Sequence, residues 1–155
     1  MKKILVPTDF SKPAQWALEV AISIAKKAKG QLILLHIVEQ PTSESFNAEG
    51  QVMNQEGWED KLFTFKVIER NKAQLEEAAS LADEAGVRVT YELRLGNPFH
   101  GMKTVITEHK VDLVVMGTSG RSRFEEMIVG SNTEKVVRYA KCPVLTVHEK
   151  PTGKD

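Results

Sequence analysis

Residues 3–38, KILVPTDFSKPAQWALEVAISIAKKAKGQLILLHIV, contain two apolar segments that flank a longer segment with helical periodicity. The second apolar segment, Gln31–Val38, is almost continuously apolar, as is typical of a strand covered on both faces of a sheet. The segment between them repeats apolar residues at helix spacing, at Ala14, Ala17, Leu18, Ala21, Ile22, Ala25 and Ala28. Strands joined by a crossover helix pair in parallel, so residues 3–38 predict one unit of a parallel α/β fold.

The rest of the chain continues this alternation. Residues 39–58 are polar and show no period, so they predict a long loop, which in compact domains is often functional. Further helices are predicted over 59–85, from 98 onwards and over 132–140, and further strands over 87–95, 113–116 and 143–147. The order βαβαβαβαβ predicts a doubly wound, five-stranded parallel sheet with helices on both faces and strand order 3-2-1-4-5. Ligands in such folds bind beyond the carboxyl ends of the strands, here after strands one and four.

Capping residues mark several helix ends. Ser11 and Asn97 are N-cap types, each followed by a proline in the first turn, and Gly30 is expected to end the first helix. The helix over 59–85 is predicted to turn inward Phe65, Ile68, Leu75, Ala78, Ala79 and Ala82. Core packing is also the interpretation that we favour for Trp58 and Phe63, with a lid over the crevice as the alternative.

Composition limits the classes of function. The chain has 155 residues, of which 41% are hydrophobic and 27% charged, as expected of one globular domain over 1–149 with a short tail over 150–155. Lys plus Arg and Asp plus Glu number 21 each, so net charge gives no argument for a nucleic acid or an acidic membrane as partner. Cys142 is the only cysteine, and no apolar run is long enough to span a bilayer. A reducing cytoplasm is the simplest expectation.

A glycine-containing loop follows the fourth predicted strand. It begins with Gly117-Thr118-Ser119-Gly120 and ends at a helix start with Gly130-Ser131-Asn132-Thr133. Glycines allow close backbone approach to an anion, and free amides at a helix N-terminus bind phosphate. The hydroxyls of Ser119, Ser131 and Thr133 and the charges of Arg121 and Arg123 would add to such a site. The alternative is a plain turn in which Ser131 or Asn132 caps the last helix, and the residues alone favour neither.

The spacing Gly117-x2-Gly120-x9-Gly130-Ser131 resembles the ATP-binding signature of the universal stress protein family. The chain also resembles the family in residues 4–9 (ILVPTD), 35–37 (LHI) and 142–145 (CPVL), so that the resemblance covers essentially the whole chain. The resemblance implies an adenine-nucleotide α-hydrolase-like fold, ATP as ligand, a cytoplasmic location and homodimers. Related dimers join through the last strand, which implies an interface over residues 143–147, Pro143 to Val147.

The resemblance also implies the roles of single residues. Pro7, Thr8 and Asp9 would face the ribose and adenine, Ile37 would offer its backbone to the adenine edge, and Met116 and Gly117 would line the nucleoside. The phosphates would be held by Gly120, Gly130, Ser131, Asn132 and Thr133. Position 132 departs from the small apolar residue that relatives often carry. Asp9 is in addition a candidate ligand of Mg²⁺. The alternative is an Asx turn before the first helix, but the position at the exit of a central strand favours the ligand contact.

Three functional classes stay open at this point: an ATP-binding regulatory protein, a slow ATP hydrolase and a dimeric interaction module that needs no nucleotide. The sequence contains neither a G-x-G-x-x-G after the first strand nor a P-loop. No obvious general base stands in the loop and no histidine is adjacent to its hydroxyls, so no catalytic residue is predicted and binding is favoured over catalysis. His36 and Cys142 are interpreted as core residues, the histidine being bonded to backbone.

Overall fold

A computed structural model of the chain describes residues 2–39, 58–118 and 130–151. Its strands and helices alternate in the predicted order, and the doubly wound parallel sheet is confirmed, with strand order β3-β2-β1-β4-β5. The elements are β1 (Lys3–Pro7), α1 (Lys12–Ala28), β2 (Gln31–Val38), α2 (Trp58–Glu84), β3 (Arg88–Leu95), α3 (Pro98–His109), β4 (Leu113–Gly117), α4 (Ser131–Tyr139) and β5 (Val144–Val147).

The winding of the sheet reverses between β1 and β4. Strand β1 pairs with β2 along its whole length but with β4 only at Ile4↔Leu113 and Leu5↔Val114. The last residues of β1 therefore have no partner on the β4 side. This separation opens a crevice at the carboxyl ends of the two central strands, where doubly wound folds bind ligands.

Two apolar layers enclose the sheet because successive strand residues point to opposite faces. Ile4 and Val6 of β1 pack into one layer with α1 and α2, whereas Leu5 packs into the other with α3 and α4. All three of these side chains are fully buried. Cys142 packs at the border of the second layer, and burial raises the pKa of its thiol, which favours the neutral form and a packing role.

The predicted N-caps are confirmed at two helices. Ser11 Oγ accepts a hydrogen bond from Ala14 N at 3.3 Å, and Asn97 Oδ1 accepts one from His100 N at 3.1 Å. The end of α1 differs slightly from expectation, because Lys29 takes the left-handed conformation, with φ 54°, one residue before Gly30.

Helix α2 corrects one prediction. Leu75, Ala79 and Ala82 are buried as predicted, but Phe65 is 55% exposed and Phe63 is 68% exposed in this chain. A helix of 27 residues is about 40 Å long, whereas a strand of eight spans about 27 Å, so the first turns of α2 extend past the sheet. Their aromatic side chains consequently have no sheet to pack against. In the part of the chain that the structure describes, no helix combines the length and apolar character needed to cross a membrane.

Candidate functional site

A cleft of about 590 Å³ lies at the carboxyl ends of the strands, within the size range of small-ligand sites. The ends of β1, β2 and β4, the starts of α1, α3 and α4 and one side of α2 form its walls. All the predicted binding residues that the structure describes line it: Pro7, Thr8, Asp9, Ile37, Met116, Gly117, Gly130, Ser131, Asn132 and Thr133. Gly120 lies outside the described residues, as do Ser119, Arg121 and Arg123.

The N-terminus of α4 faces this cleft without a side-chain cap. Gly130 is the N-cap residue, and the first helical bond joins Glu134 N to Gly130 O at 2.9 Å. The alternative in which Ser131 or Asn132 caps the helix is therefore wrong, since both lie inside it. Their amides and that of Thr133 are the first donors of α4, which lack acceptors within their own helix and stand at the positive end of its dipole.

Gly130 itself is already bonded. Its N–H donates to Thr118 O at 2.7 Å, which joins the two described ends of the glycine loop. Its backbone, with φ −58° and ψ 151°, has a conformation open to any residue type. A requirement for glycine here would therefore come from space in the cleft and not from backbone conformation.

Thr133 and Gly117 are tied to each other. The buried Thr133 hydroxyl donates to Gly117 O at 2.9 Å. The sequence predicts that this hydroxyl donates to a phosphate, but its proton is used within the protein. The backbone amide of Thr133 keeps its place at the helix start. A Cβ on Gly117 would lie 2.8 Å from both the carbonyl carbon and the Cβ of Pro13, so the close packing of α1 requires this glycine.

The loop between β1 and α1 is held by short-range bonds. Asp9 Oδ1 accepts from Ser11 N at 2.9 Å, so the Asx-turn interpretation of Asp9 is confirmed. Thr8 Oγ1 accepts from Phe10 N at 3.0 Å, and Phe10 takes a left-handed conformation with φ 65°. One bond uses only part of the accepting capacity of a carboxylate, so the turn leaves Asp9 able to bind a ligand as well.

Ile37 is positioned by its neighbours on both sides. Leu35 O accepts from Thr8 N at 2.8 Å, and Val38 O accepts from Gly96 N at 2.9 Å. The backbone of Leu35 therefore points to the β1 side of β2, and that of Val38 points to the β3 side. Because bonding direction alternates along a strand, the backbone of Ile37 points to the β1 side, beyond Pro7 where β1 ends. Its side chain packs over α3 at Gly101, where a Cβ would overlap Ile37 Cδ1.

Several lining residues were missed by sequence reasoning. Helix α2 contributes Val67, Arg70 and Asn71, and α3 contributes Pro98 and Met102. Of these, Asn71 carried a signal, because it is a polar residue at an inward position of an amphipathic helix, and it is buried. The others carried none, since the sequence does not show where α2 passes the ends of the strands.

The predicted core histidine, His36, is confirmed. It is buried and bonded to backbone, with Nδ1 lying 2.7 Å from Thr8 O. Its Nε2 lies 3.1 Å from Asn71 Nδ2.

The charged side chains among the described lining residues are Asp9, Glu39 and Arg70. Arg70 is thus the one permanent cation in the described wall of the cleft. Over the described ranges, no group of three or more His, Cys, Asp or Glu residues is arranged to hold a metal ion.

Comparison with known proteins agrees with this architecture. A profile of the Universal stress protein family matches residues 1–148. Universal stress protein MJ0531 of Methanocaldococcus jannaschii is 33% identical over 150 residues, which are 97% of this chain and 83% of that protein. The solved structure of MJ0577, a universal stress protein of the same organism, matches with a TM-score of 0.80 and 28% identity over 97% of this chain and 98% of that one.

A third match is a universal stress protein solved in complex with cAMP, with a TM-score of 0.65 and 27% identity, over 95% of this chain and 97% of that one. The family profile spans nearly the whole chain, and the sheet order and the relatives point to the same fold. The chain therefore belongs to the universal stress protein family.

Proposed function

We propose that this protein binds ATP in the cleft and acts as a cytoplasmic, nucleotide-dependent regulator in a stress response. The observation that carries the proposal is the uncapped N-terminus of α4, which opens onto the cleft between the ends of β1 and β4. An anion bound there would satisfy the first amides of α4 and interact favourably with the helix dipole. Ser131, Asn132 and Thr133 would supply these backbone donors, and the Ser131 hydroxyl could add another.

The nucleoside fits the opposite part of the cleft. The backbone groups of Ile37 are directed to the β1 side beyond the end of that strand, which suits hydrogen bonding to an adenine edge. Met116, Met102 and Pro98 offer apolar surface for a purine ring. Asp9 has accepting capacity left for ribose hydroxyls. The relative that was solved with cAMP supports adenine nucleotides as the class of ligand.

A magnesium ion would arrive with the phosphates. Mg²⁺ is usually bound through one or two carboxylates together with phosphate oxygens and water, and Asp9 is the candidate carboxylate at this wall. Such a site needs no prebuilt cluster of protein ligands.

We further propose a homodimer that joins through residues 143–147, Pro143 to Val147. Among the residues that the structure describes, strand β5 is at an edge of the sheet and pairs with β4 alone. Exposed apolar side chains lie on it and on α4 beside it, namely Leu145, Val137 and Tyr139. An apolar edge strand with free backbone groups favours pairing with a second copy.

Mass spectrometry of ligand released from the purified protein, followed by calorimetric titration of ligand-free protein, tests the proposed function. We expect ATP to be recovered or to bind, and GTP to bind more weakly because the Ile37 backbone would read the purine edge. Phosphate release measured on the same samples separates binding from slow hydrolysis. A protein that neither retains nor binds an adenine nucleotide would contradict the proposal and favour the nucleotide-independent interaction module.

A further inference from the structure

The wall of the cleft contains a buried chain of polar groups that links α2 to the loop after β1. Asn71 of α2 and His36 of β2 are both 7% exposed. Asn71 Nδ2 lies 3.1 Å from His36 Nε2, and His36 Nδ1 lies 2.7 Å from the carbonyl oxygen of Thr8. All three residues line the cleft. This chain of hydrogen-bonded groups therefore joins α2, β2 and the loop after β1 at the proposed nucleotide site.

His36 fixes the loop in two ways. Thr8 is held by consecutive β2 residues, since its N–H donates to Leu35 O at 2.8 Å and its C=O accepts from His36. The Phe10 ring lies 4.5 Å from the His36 ring, between centroids, while the Phe10 backbone is left-handed. Asp9 stands between these two anchored residues. His36 thus helps to place the backbone of Asp9, whose carboxylate is oriented in turn by its bond from Ser11 N.

Asn71 in turn fixes His36. A carbonyl oxygen only accepts hydrogen bonds, so in the neutral ring Nδ1 carries the proton and donates to Thr8, and Nε2 accepts from the Asn71 amide. The Thr8 carbonyl thus requires the tautomer with the proton on Nδ1, and Asn71 holds the ring by donating to the other nitrogen, Nε2. A buried amide is unfavourable unless it is hydrogen-bonded, and an aliphatic side chain would pack at this inward position without that requirement. Packing alone gives no reason for an asparagine here.

We infer that His36 and Asn71 are positioning residues for the nucleotide: Asn71 holds the ring of His36 through Nε2, and His36 holds the Thr8–Asp9 segment in the conformation that receives the ligand. The inference rests on the proposed function. It makes α2 part of the binding site.

Two substitutions of His36 separate its two bonds. His36→Asn places an amide nitrogen at the δ position and can keep the bond to Thr8 O, whereas His36→Gln places its amide further out, near Nε2. Since the Thr8 bond positions Asp9, we expect His36→Asn to retain more ATP affinity than His36→Gln, with a difference of about tenfold, as for one buried hydrogen bond. Equal losses, measured per folded molecule by calorimetry, would contradict this role of the Thr8 bond.

Asn71→Leu tests the other bond, with Lys72→Leu as the matched control. Lys72 is the next residue along α2, is exposed and lies outside the described lining of the cleft. We expect Asn71→Leu to weaken ATP binding about tenfold and Lys72→Leu to change it less than about twofold. In an Asp9→Ala background the effect of Asn71→Leu should largely disappear, because the two residues act in series. Additive effects of Asp9→Ala and Asn71→Leu would overturn the inference.

Ring-nitrogen NMR gives a readout that loss of stability alone would not move. We expect a protonated Nδ1 and an unprotonated, hydrogen-bonded Nε2 for His36 in the wild type and in Lys72→Leu, and an unprotonated Nε2 that has lost the chemical-shift effect of this hydrogen bond in Asn71→Leu. If the wild type binds ATP and Asn71→Leu binds it equally well, this inference fails and the proposed function stands. If the wild type binds no adenine nucleotide, the proposed function fails and the inference fails with it.

Discussion

The two described glycines in the segment that joins β4 to α4 have different reasons to be glycine. Gly117 lies against Pro13, where a Cβ would come within 2.8 Å of backbone. Gly130 has an ordinary backbone conformation and precedes the uncapped amides of α4. The first glycine therefore serves packing between β4 and α1, and the second is the one whose replacement should act on a ligand.

Gly130→Val should weaken ATP binding by about tenfold or more, because a branched side chain at the helix start would displace the phosphates from the amides. The helical circular dichroism should stay unchanged, since valine tolerates φ −58° and ψ 151°. Gly117→Ala is the contrasting variant, and it should lower the melting temperature by crowding Pro13. Equal calorimetric affinities of wild type and Gly130→Val would show that this glycine does not face phosphate.

Asp9 combines a turn bond with a proposed ligand contact, and two substitutions distinguish them. Asp9→Asn keeps an oxygen for Ser11 N but loses the charge, so ATP affinity in Mg²⁺ should fall while the melting temperature stays near that of the wild type. Asp9→Ala removes both functions and should in addition lower the melting temperature by about 2–4 °C, as for loss of about 1 kcal/mol at a cap-like bond. Wild-type affinity of Asp9→Asn would exclude a role for the carboxylate charge.

Arg70 is the only Lys or Arg among the described residues that line the cleft. Arg70→Ala should weaken binding of ATP by several-fold and leave adenosine binding unchanged, because only the phosphates carry charge for it to attract. Lys72→Ala, two residues further along α2 and not among the described lining residues, is the matched control. Equal effects of the two variants, or an equal loss for ATP and adenosine, would argue against contact between Arg70 and phosphate.

At the scale of elements, Asp112 ties the start of β1 to β4. Its Oδ2 accepts from Lys2 N and Lys3 N, each at 2.9 Å, and these backbone bonds hold the pKa of the Asp112 carboxyl below its ordinary value of 3.8. A carboxyl with a lowered pKa in the folded state contributes stability above its unfolded pKa and loses it as the pH falls through the folded value.

Asp112→Ala should therefore lower the melting temperature by a constant amount at neutral and mildly acidic pH. The difference from the wild type should shrink once the pH falls below about 4, where the carboxyl becomes protonated. Thermal unfolding of both proteins between pH 3 and pH 7 measures this difference. If the difference in melting temperature stays unchanged at pH 3, the charge of Asp112 does not stabilise the fold through its bonds from Lys2 N and Lys3 N.

The boundaries of helices and strands were predicted best where a local sequence signal marks them. The boundaries of β2 match the apolar run Gln31–Val38, and the caps Ser11 and Asn97 match their motifs, because these signals are local. The exposure of Phe63 and Phe65 was not predictable from local pattern. It depends on α2 being longer than the sheet that it covers, which is a property of the assembled layers.

The same distinction holds for the cleft. Residues at strand ends, such as Asp9 and Met116, could be assigned from topology, because parallel strands bring their carboxyl ends to one edge. Arg70 and Asn71 lie in the middle of a helix, and only the path of that helix brings them to the cleft. The occupied hydroxyl of Thr133 likewise depends on a tertiary contact with Gly117.

At the scale of the whole molecule, the two edges of the sheet differ in character. Edge strand β3 carries Glu92 and Arg94, which form an ion-pair network with Glu108 and His109 of α3. Charged side chains on an edge strand oppose pairing with another chain. The other edge, β5, has the sequence VLTV and Leu145 is 39% exposed on it. This asymmetry favours β5 as the edge that is covered in an assembly.

Leu145→Lys should shift the proposed homodimer toward monomer, because a charge at the centre of the β5 edge would be buried without a partner. Leu95→Lys is the matched control, since Leu95 is 46% exposed at the end of the opposite edge strand β3 and should leave the assembly intact. Light scattering at tens of micromolar measures the mass of each protein. A wild-type monomer would refute the dimer, and dissociation by Leu95→Lys but not by Leu145→Lys would place the interface on the β3 edge. Pairing through β5 would also extend two five-stranded sheets into one about a twofold axis, so that both copies satisfy the same free backbone groups and no further chain can add there.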